Sequence, residues 1–375
     1  MHNLYYFLLS VFFICCVSSE TEGQQRIGSI VSPEVHSDNR VTFRIFALGA
    51  EDVKLDGQFI PDSQAMTKDA NGLWSITTDP IKPDIYPYRF IVDGVAVMDH
   101  NNSLVFVNER INYSLVDIPG DIPLIHSLQK VPHGALNYRY YDSKSLGVVR
   151  RMVIYTPPGY EHDSETRYPV LYLLHGTSDT EETWTGVGRA NVILDNLISQ
   201  NKATPMIIVM PYGRAYPIVS IDSGSLGNPD NIQEFRKDLF DNIIPFVEKN
   251  YRVKTDRASR AIAGFSGGGS ETLAIGLSNP ETFGWVCGFA PSVRMNIHER
   301  YFEEAFADSE RTNQRLKLLW ISCGQEDGLY RNSLEFVDIL KEKKIDHKTF
   351  FNDGGHTWMN CKIYLTEIAQ LLFQE

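Results

Sequence analysis

The chain has 375 residues, of which 43% are hydrophobic and 22% charged. That composition builds globular cores and excludes collagen, a disulfide-dense mini-protein or a mostly disordered chain. Its 35 basic and 47 acidic side chains leave a net charge of −12 with no long basic run. This argues against a nucleic-acid partner, because phosphate affinity comes mainly from Lys and Arg.

Leu4–Val17 is an apolar run broken only by Ser10. A membrane span needs about 20 such residues, so no span is expected. Ser18, Ser19 and a polar stretch to Gly23 follow, and residues 1–23 read as a signal peptide, although Met1-His2-Asn3 carries no Lys or Arg. The expected location is secreted, periplasmic or at the cell surface. Beyond that run the cysteines are Cys287, Cys323 and Cys361. None forms a CxxC pair, so no metal or other cofactor is expected. Cys287 and Cys323 lie in apolar runs and read as buried thiols; a Cys323–Cys361 bridge is left open.

Residues 27–112 read as all-β. Arg40–Phe46 and Gly72–Thr77 alternate with period two, the latter following the turn pair Asn71-Gly72, and Tyr86–Val92 ends at the hairpin pair Asp93-Gly94. A small sandwich is expected. In it Trp74, Tyr86 and Tyr88 are either core residues or sugar-stacking faces, and core is the preferred reading. Residues 113–132, with the Pro and Gly of Asp117–Pro123, read as a linker.

Residues 133–375 alternate short apolar runs with helical patterns. The runs are 148–155, 170–174, 206–210, 260–263, 285–289, 316–322 and 348–351. Helices are expected over 191–199, 231–250 (with Pro245 inside), 268–277, 329–343 and 359–372. Wholly apolar strands separated by helices predict an α/β layered domain.

Gly264-Phe265-Ser266-Gly267-Gly268 fits G-x-S-x-G between an expected strand and an expected helix. So tight a turn strains the serine backbone and needs small neighbours. Ser266 is the candidate nucleophile, and Gly267 N–H a candidate oxyanion donor at the helix start. On such a fold the acid and then the histidine follow the serine. His347 precedes the last strand and His356 follows it. Only the latter reaches the carboxyl edge, so His356 is the candidate base. Asp327 and its neighbour Glu326 follow the strand before; Asp327, at the loop end, is the preferred acid. His175 ends an early strand and reads as loop-shaping.

Six motifs together resemble carbohydrate esterase family one: Tyr172–Gly176, Trp184, Met210–Gly213, Gly264–Gly268, Cys323–Asp327 and Gly354–Trp358. That family holds feruloyl and acetyl-xylan esterases and is related to esterase D and the mycobacterial antigen 85 proteins. The resemblance covers about 133–375. It implies an α/β-hydrolase domain, a Ser266–Asp327–His356 triad, and an oxyanion hole of Thr177 and Gly267 N–H groups. Relatives often carry Met where this chain has Gly267. Residues 27–112 more loosely resemble the early-set, immunoglobulin-like modules of carbohydrate-binding family 48.

The implied activity is a serine esterase removing feruloyl groups from xylan, with feruloylated or acetylated xylan as substrate. Trp358, Trp184 and Tyr212 are candidates to flank a planar acyl ring. The alternatives are an acetyl-xylan esterase, a siderophore or thioester hydrolase, and a non-catalytic carbohydrate-binding protein on a hydrolase scaffold.

Overall fold

The computed structural model describes residues 30–110, 112–216 and 229–374. The signal-peptide reading of 1–23 lies outside them.

The amino-terminal unit is two facing sheets. One holds β1 (Glu34–Val35), β2 (Val41–Phe46), β5 (Thr67–Lys68) and β6 (Leu73–Thr77). The other holds β3 (Val53–Gly57), β4 (Gln64–Ala65), β7 (Asp84–Val92), β8 (Val95–Val97), β9 (Val105–Phe106) and β10 (Tyr113–Ile118). Alternation sends Val41, Phe43 and Ile45 of β2 inward against Leu55, Tyr88, Phe90 and Val116. Trp74, Tyr86 and Tyr88 are all buried, with their polar tips on Ala47 O, Lys82 O and Asp99 Oδ2. None offers a face to solvent.

β10 lies within the segment read as linker. It pairs antiparallel with β7, Val116 opposite Tyr86, and its Val116 and Ile118 fill the sandwich core. The Pro and Gly of 119–123 drew attention away from the alternating Tyr113–Ile118. The sandwich therefore closes at about residue 118.

Eight further strands form one sheet: β11 (Ala135–Ser143), β12 (Val148–Thr156), β13 (Val170–Leu174), β14 (Ile207–Pro211), β15 (Arg260–Phe265), β16 (Trp285–Phe289), β17 (Leu318–Gly324) and β18 (Lys348–Asn352). Their spatial order is β11-β12-β14-β13-β15-β16-β17-β18. β12 runs antiparallel to β14, and the six strands from β14 to β18 are mutually parallel. The helices are α1 (Thr183–Gly186), α2 (Ala190–Ser199), α3 (Pro229–Asp238), α4 (Ile244–Asn250), α5 (Gly267–Ser278), α6 (Met295–Ala307), α7 (Ser309–Arg315), α8 (Tyr330–Glu342) and α9 (Trp358–Ala369). This is the α/β-hydrolase fold, preceded by a β-sandwich.

The parallel strands β13 to β17 are buried on both faces, and their side chains alternate between two cores, whereas β18 at the sheet edge is exposed or half-buried. Val170, Tyr172 and Leu174 pack with α3, α5, α6 and α8; Leu171 and Leu173 pack with α2 and α9. Ile85, Phe106 and Leu115 of the sandwich join that second core, so the two units share a hydrophobic interface. Lys362, almost wholly buried on α9, reaches across to Asp84 Oδ1 at 2.5 Å.

The single helix expected over 231–250 is two helices joined by a wide π turn at Leu239–Ile243. Pro245 lacks an N–H and its ring crowds the carbonyl four residues back, so the turn before it opens. β11, α6 and α7 were not anticipated; their polar residues interrupt the apolar pattern. Cys287, Cys323 and Cys361 are all buried free thiols, so the open Cys323–Cys361 pairing is not made. Burial pushes the Cys323 thiol up to about 12.

Candidate active site

Parallel strands deliver their following loops to one sheet edge, and the site residues come from those loops. β15 ends at Phe265, and α5 starts at Gly267. Ser266 between them has φ 57° and ψ −116°, a strained conformation for a side-chain-bearing residue. The glycines around it are required by contact. A Cβ on Gly264 would lie 2.4 Å from Gly268 O, and one on Gly268 2.2 Å from His175 O. The backbones of the elbow, α5 and the end of β13 therefore touch.

Ser266 Oγ donates to His356 Nε2 at 2.9 Å, and His356 Nδ1 donates to Asp327 Oδ2 at 2.7 Å. Asp327 is buried, and its Oδ1 accepts the Leu329 N–H at 2.8 Å, which fixes the carboxylate plane. Glu326 is exposed and lies outside this chain of bonds. His347 sits at the amino end of β18, where its Nδ1 donates to Ile345 O.

Two loops are stitched together to hold His356. Gln325 N–H donates to Asn352 O and Glu326 N–H to Gly354 O. Asn360, one turn into α9, donates to Gly355 O at 3.0 Å and accepts from Asn352 Nδ2 at 3.0 Å. Sequence reading missed Asn360; its only signal is its position four residues after His356. Phe265 stacks on the His356 ring with centroids 4.4 Å apart.

Across the cleft lies the loop after β13. His175 is fully buried and bridges two segments: its Nδ1 donates to Gly176 O, and its Nε2 accepts the Gly213 N–H. Burial lowers its pKa to about 4, which keeps it neutral. Gly267 opens α5, so its N–H has no acceptor within the helix. A Cβ on Gly267 would lie 2.2 Å from Thr177 Oγ1. The Thr177 hydroxyl thus occupies the space that a side chain at 267 would need.

The aromatic candidates are placed differently from expectation. Trp184 and Trp358 are 1% and 4% exposed and pack edge-to-face, with centroids 4.9 Å apart. The Trp184 indole N–H is satisfied by Leu174 O. Both are core residues beneath the site, and neither lines the cavity beside Ser266. Their apolar flanks suit a core as well as a pocket, so the sequence alone does not separate the two. Tyr212 does sit at the sheet edge, but its hydroxyl is bound to the Glu109 carboxylate and its ring lies under Arg150.

The cavity beside Ser266 is lined instead by Ile232 and Ile297 and by a polar end of Arg214, Asn231 and Glu271. Asn231 Nδ2 donates to Glu271 Oε1 at 2.8 Å. Burial raises the Glu271 carboxyl to about 8, against the opposing pull of Arg214. Arg214 is buried, and its Nε has no partner among the described residues. None of these residues carries a motif in the sequence.

A nucleophile, a base and an orienting acid in one hydrogen-bonded line at the start of a helix is an arrangement suited to acyl transfer.

Comparison with known proteins agrees with that chemistry. Residues 143–367 match the esterase family described as "Putative esterase". The chain is 31% identical over 352 residues to an endo-1,4-beta-xylanase/feruloyl esterase of Xylanibacter ruminicola; the match covers 91% of this chain and 46% of that one. The chain thus spans about half the length of this curated relative. The structure of a CE1 ferulic acid esterase from Anaeromyces mucronatus in complex with ferulic acid is 26% identical, covering 65% of this chain and 93% of that one, with a TM-score of 0.56. The enterobactin esterase of Shigella flexneri, 20% identical, shares the fold across 89% of this chain and 94% of its own, with a TM-score of 0.65. The chain belongs to the esterase family.

Proposed function

We propose that the protein removes feruloyl groups from xylan through an acyl-enzyme on Ser266. The observation that carries this reading is the unbroken line from Ser266 Oγ through His356 to Asp327. Ser266 Oγ attacks the ester carbonyl as its proton passes to His356 Nε2. The carbonyl oxygen, now negative, is held by the Thr177 and Gly267 N–H groups, with the start of α5 adding a favourable dipole. His356 returns the proton to the departing sugar oxygen, leaving the acyl group on Ser266. Water then attacks the acyl-enzyme as its proton passes to His356 Nε2, and the bond to Ser266 Oγ breaks as His356 returns that proton to Oγ, releasing the free acid. Asp327 keeps the His356 Nδ1 protonated and stabilises the imidazolium without taking the proton.

Two observations favour a hydroxycinnamoyl over an acetyl group. The similarity to the xylanase/feruloyl esterase runs through both the sandwich and the hydrolase domain. The cavity also sets two apolar side chains, Ile232 and Ile297, within a mostly polar lining that includes Arg214. The unpartnered Arg214 Nε–H suits the phenolic oxygen of a hydroxycinnamoyl ring. The amino-terminal run 1–23 supports export to the compartment where xylan is met.

The test is kcat/KM for methyl ferulate, methyl cinnamate and an acetyl ester, followed by release from feruloylated arabinoxylan and acetylated xylan. Ferulate release, and a preference for ferulate over cinnamate, are expected. Free acetate without free ferulate would overturn the acyl choice and leave the triad standing.

A further inference from the structure

We propose that the β-sandwich is a working part of the active site: Asn108 and Glu109, on the loop leaving β9, hold the oxyanion loop in shape. This rests on the assignment of Thr177 N–H as an oxyanion donor.

Asn108 lies about 70 residues before the loop it touches. Its side-chain amide donates to Asp179 Oδ1 at 2.9 Å and to Ser178 Oγ at 3.1 Å. Both hydrogens of one NH₂ group are therefore spent on this loop. The next residue adds a backbone bond, Glu109 N–H to Ser178 O at 2.7 Å. Its carboxylate also accepts the Tyr212 hydroxyl, beside the Gly213 N–H that His175 holds.

Asp179 passes the constraint on. Its Oδ2 accepts the Gly176 N–H at 3.2 Å, and its own N–H donates to Gly176 O at 3.1 Å. A Cβ on Gly176 would lie 2.7 Å from that same Oδ2, so the carboxylate lies against the backbone. The residues on both sides of Thr177 are thereby tied, Gly176 through Asp179 and Ser178 through Glu109.

Asp179 is buried, with the Asn108 amide and the Gly176 N–H as hydrogen-bond partners and His356 and Cys361 as the titratable groups acting on its charge. Burial raises its pKa to about 6, and the Asn108 bond opposes that rise. The Asn108 loop is itself preformed: Asn112 Oδ1 accepts the Asn108 N–H at 3.0 Å, and Asn108 Oδ1 accepts the Arg110 N–H at 3.0 Å. Adhesion between the units is provided elsewhere, by Phe106 against Trp358 and by Lys362 with Asp84. The polar loop is directed at the segment that carries Thr177. Asn108 is a positioning residue, since it touches no reacting atom.

The test uses the full chain with Asn108→Ala and the near-isosteric Asn108→Asp. Active sites are titrated with a fluorophosphonate, so that rates refer to folded, labelled enzyme. Loss of one oxyanion donor outright costs ~10²–10³ in kcat; a displaced donor should cost Asn108→Ala about tenfold, with KM within about twofold. Asn108→Asp places two carboxyls together. Its activity relative to wild type should be lowest at pH 8 and recover towards pH 5, where a shared proton restores a donor. Unchanged kcat per labelled site in both variants would overturn the inference while leaving the triad intact. So would a loss in Asn108→Asp that does not vary with pH. A wild-type protein that does not label would overturn the esterase mechanism on which the inference depends.

Discussion

The turn at Ser266 and the loop at Thr177 face each other across one cleft, yet different distances along the chain specify them. The turn is local. Gly264, Ser266 and Gly268 lie within five residues, and the strained φ of 57° follows from a strand running directly into a helix with backbones in contact. The loop is assembled from afar. His175 ties it to Gly213, Trp184 to the end of β13, and Asn108 and Glu109 to another structural unit. The nucleophile half of a site can thus be written as a short motif, whereas the oxyanion half depends on folding of the whole chain.

Replacing the nucleophile should have the largest effect. Ser266→Ala should lower kcat by ~10⁶ with an unchanged thermal transition, since triad serines lose about that much. Residual activity above a tenth of wild type would remove Ser266 from the role. Asp327→Asn should cost ~10⁴ at neutral pH by favouring the wrong His356 tautomer. Glu326→Gln, exposed and outside the bond line, should stay within about twofold. A reversal of these two results would reassign the acid.

That contrast also explains what could be read without coordinates. The meeting of Ser266, Asp327 and His356 at one sheet edge was legible because each follows a strand, and position after a strand fixes that edge. The alternation of strands and helices along the chain was legible from the apolar runs; the spatial order, with β14 between β12 and β13, was not. β10 was not, because Pro119 and Gly120 just beyond it mimic a linker. Trp184 and Trp358 were misplaced because an aromatic near a catalytic loop in sequence can point either way, and burial is a tertiary property. Arg214, Glu271 and Asn108 gave no signal, since each works through a partner distant in the chain or through an enclosure that only the fold creates.

Two smaller changes sharpen the comparison. Gly268→Ala presses a methyl onto the His175 carbonyl, joining the local turn to the assembled loop. It should destabilise the protein by ~2–3 kcal/mol and lower kcat per titrated site about tenfold. Chemical denaturation and active-site titration measure the two effects. Glu271→Gln acts on the cavity end. Because the folded carboxyl titrates at about 8, above the ordinary 4.5, the native state binds more protons than the unfolded chain between those pH values. Wild-type stability therefore falls as pH rises through that window. The glutamine keeps an oxygen for Asn231 Nδ2 and removes the penalty. Its stability gain should be near zero at pH 4.5 and reach ~1–2 kcal/mol above pH 8. A gain that shrinks as pH rises would contradict the assignment.

The central claim is that Ser266 becomes acylated, and mass spectrometry of quenched enzyme tests it most directly. Mixing the protein with a hydroxycinnamoyl ester of a good leaving group should give a burst equal to the number of sites. The trapped protein should carry one acyl mass on the peptide containing Ser266, and none in Ser266→Ala. Turnover without a burst in rapid-quench mixing, or an acyl mass on any other residue, would contradict the account.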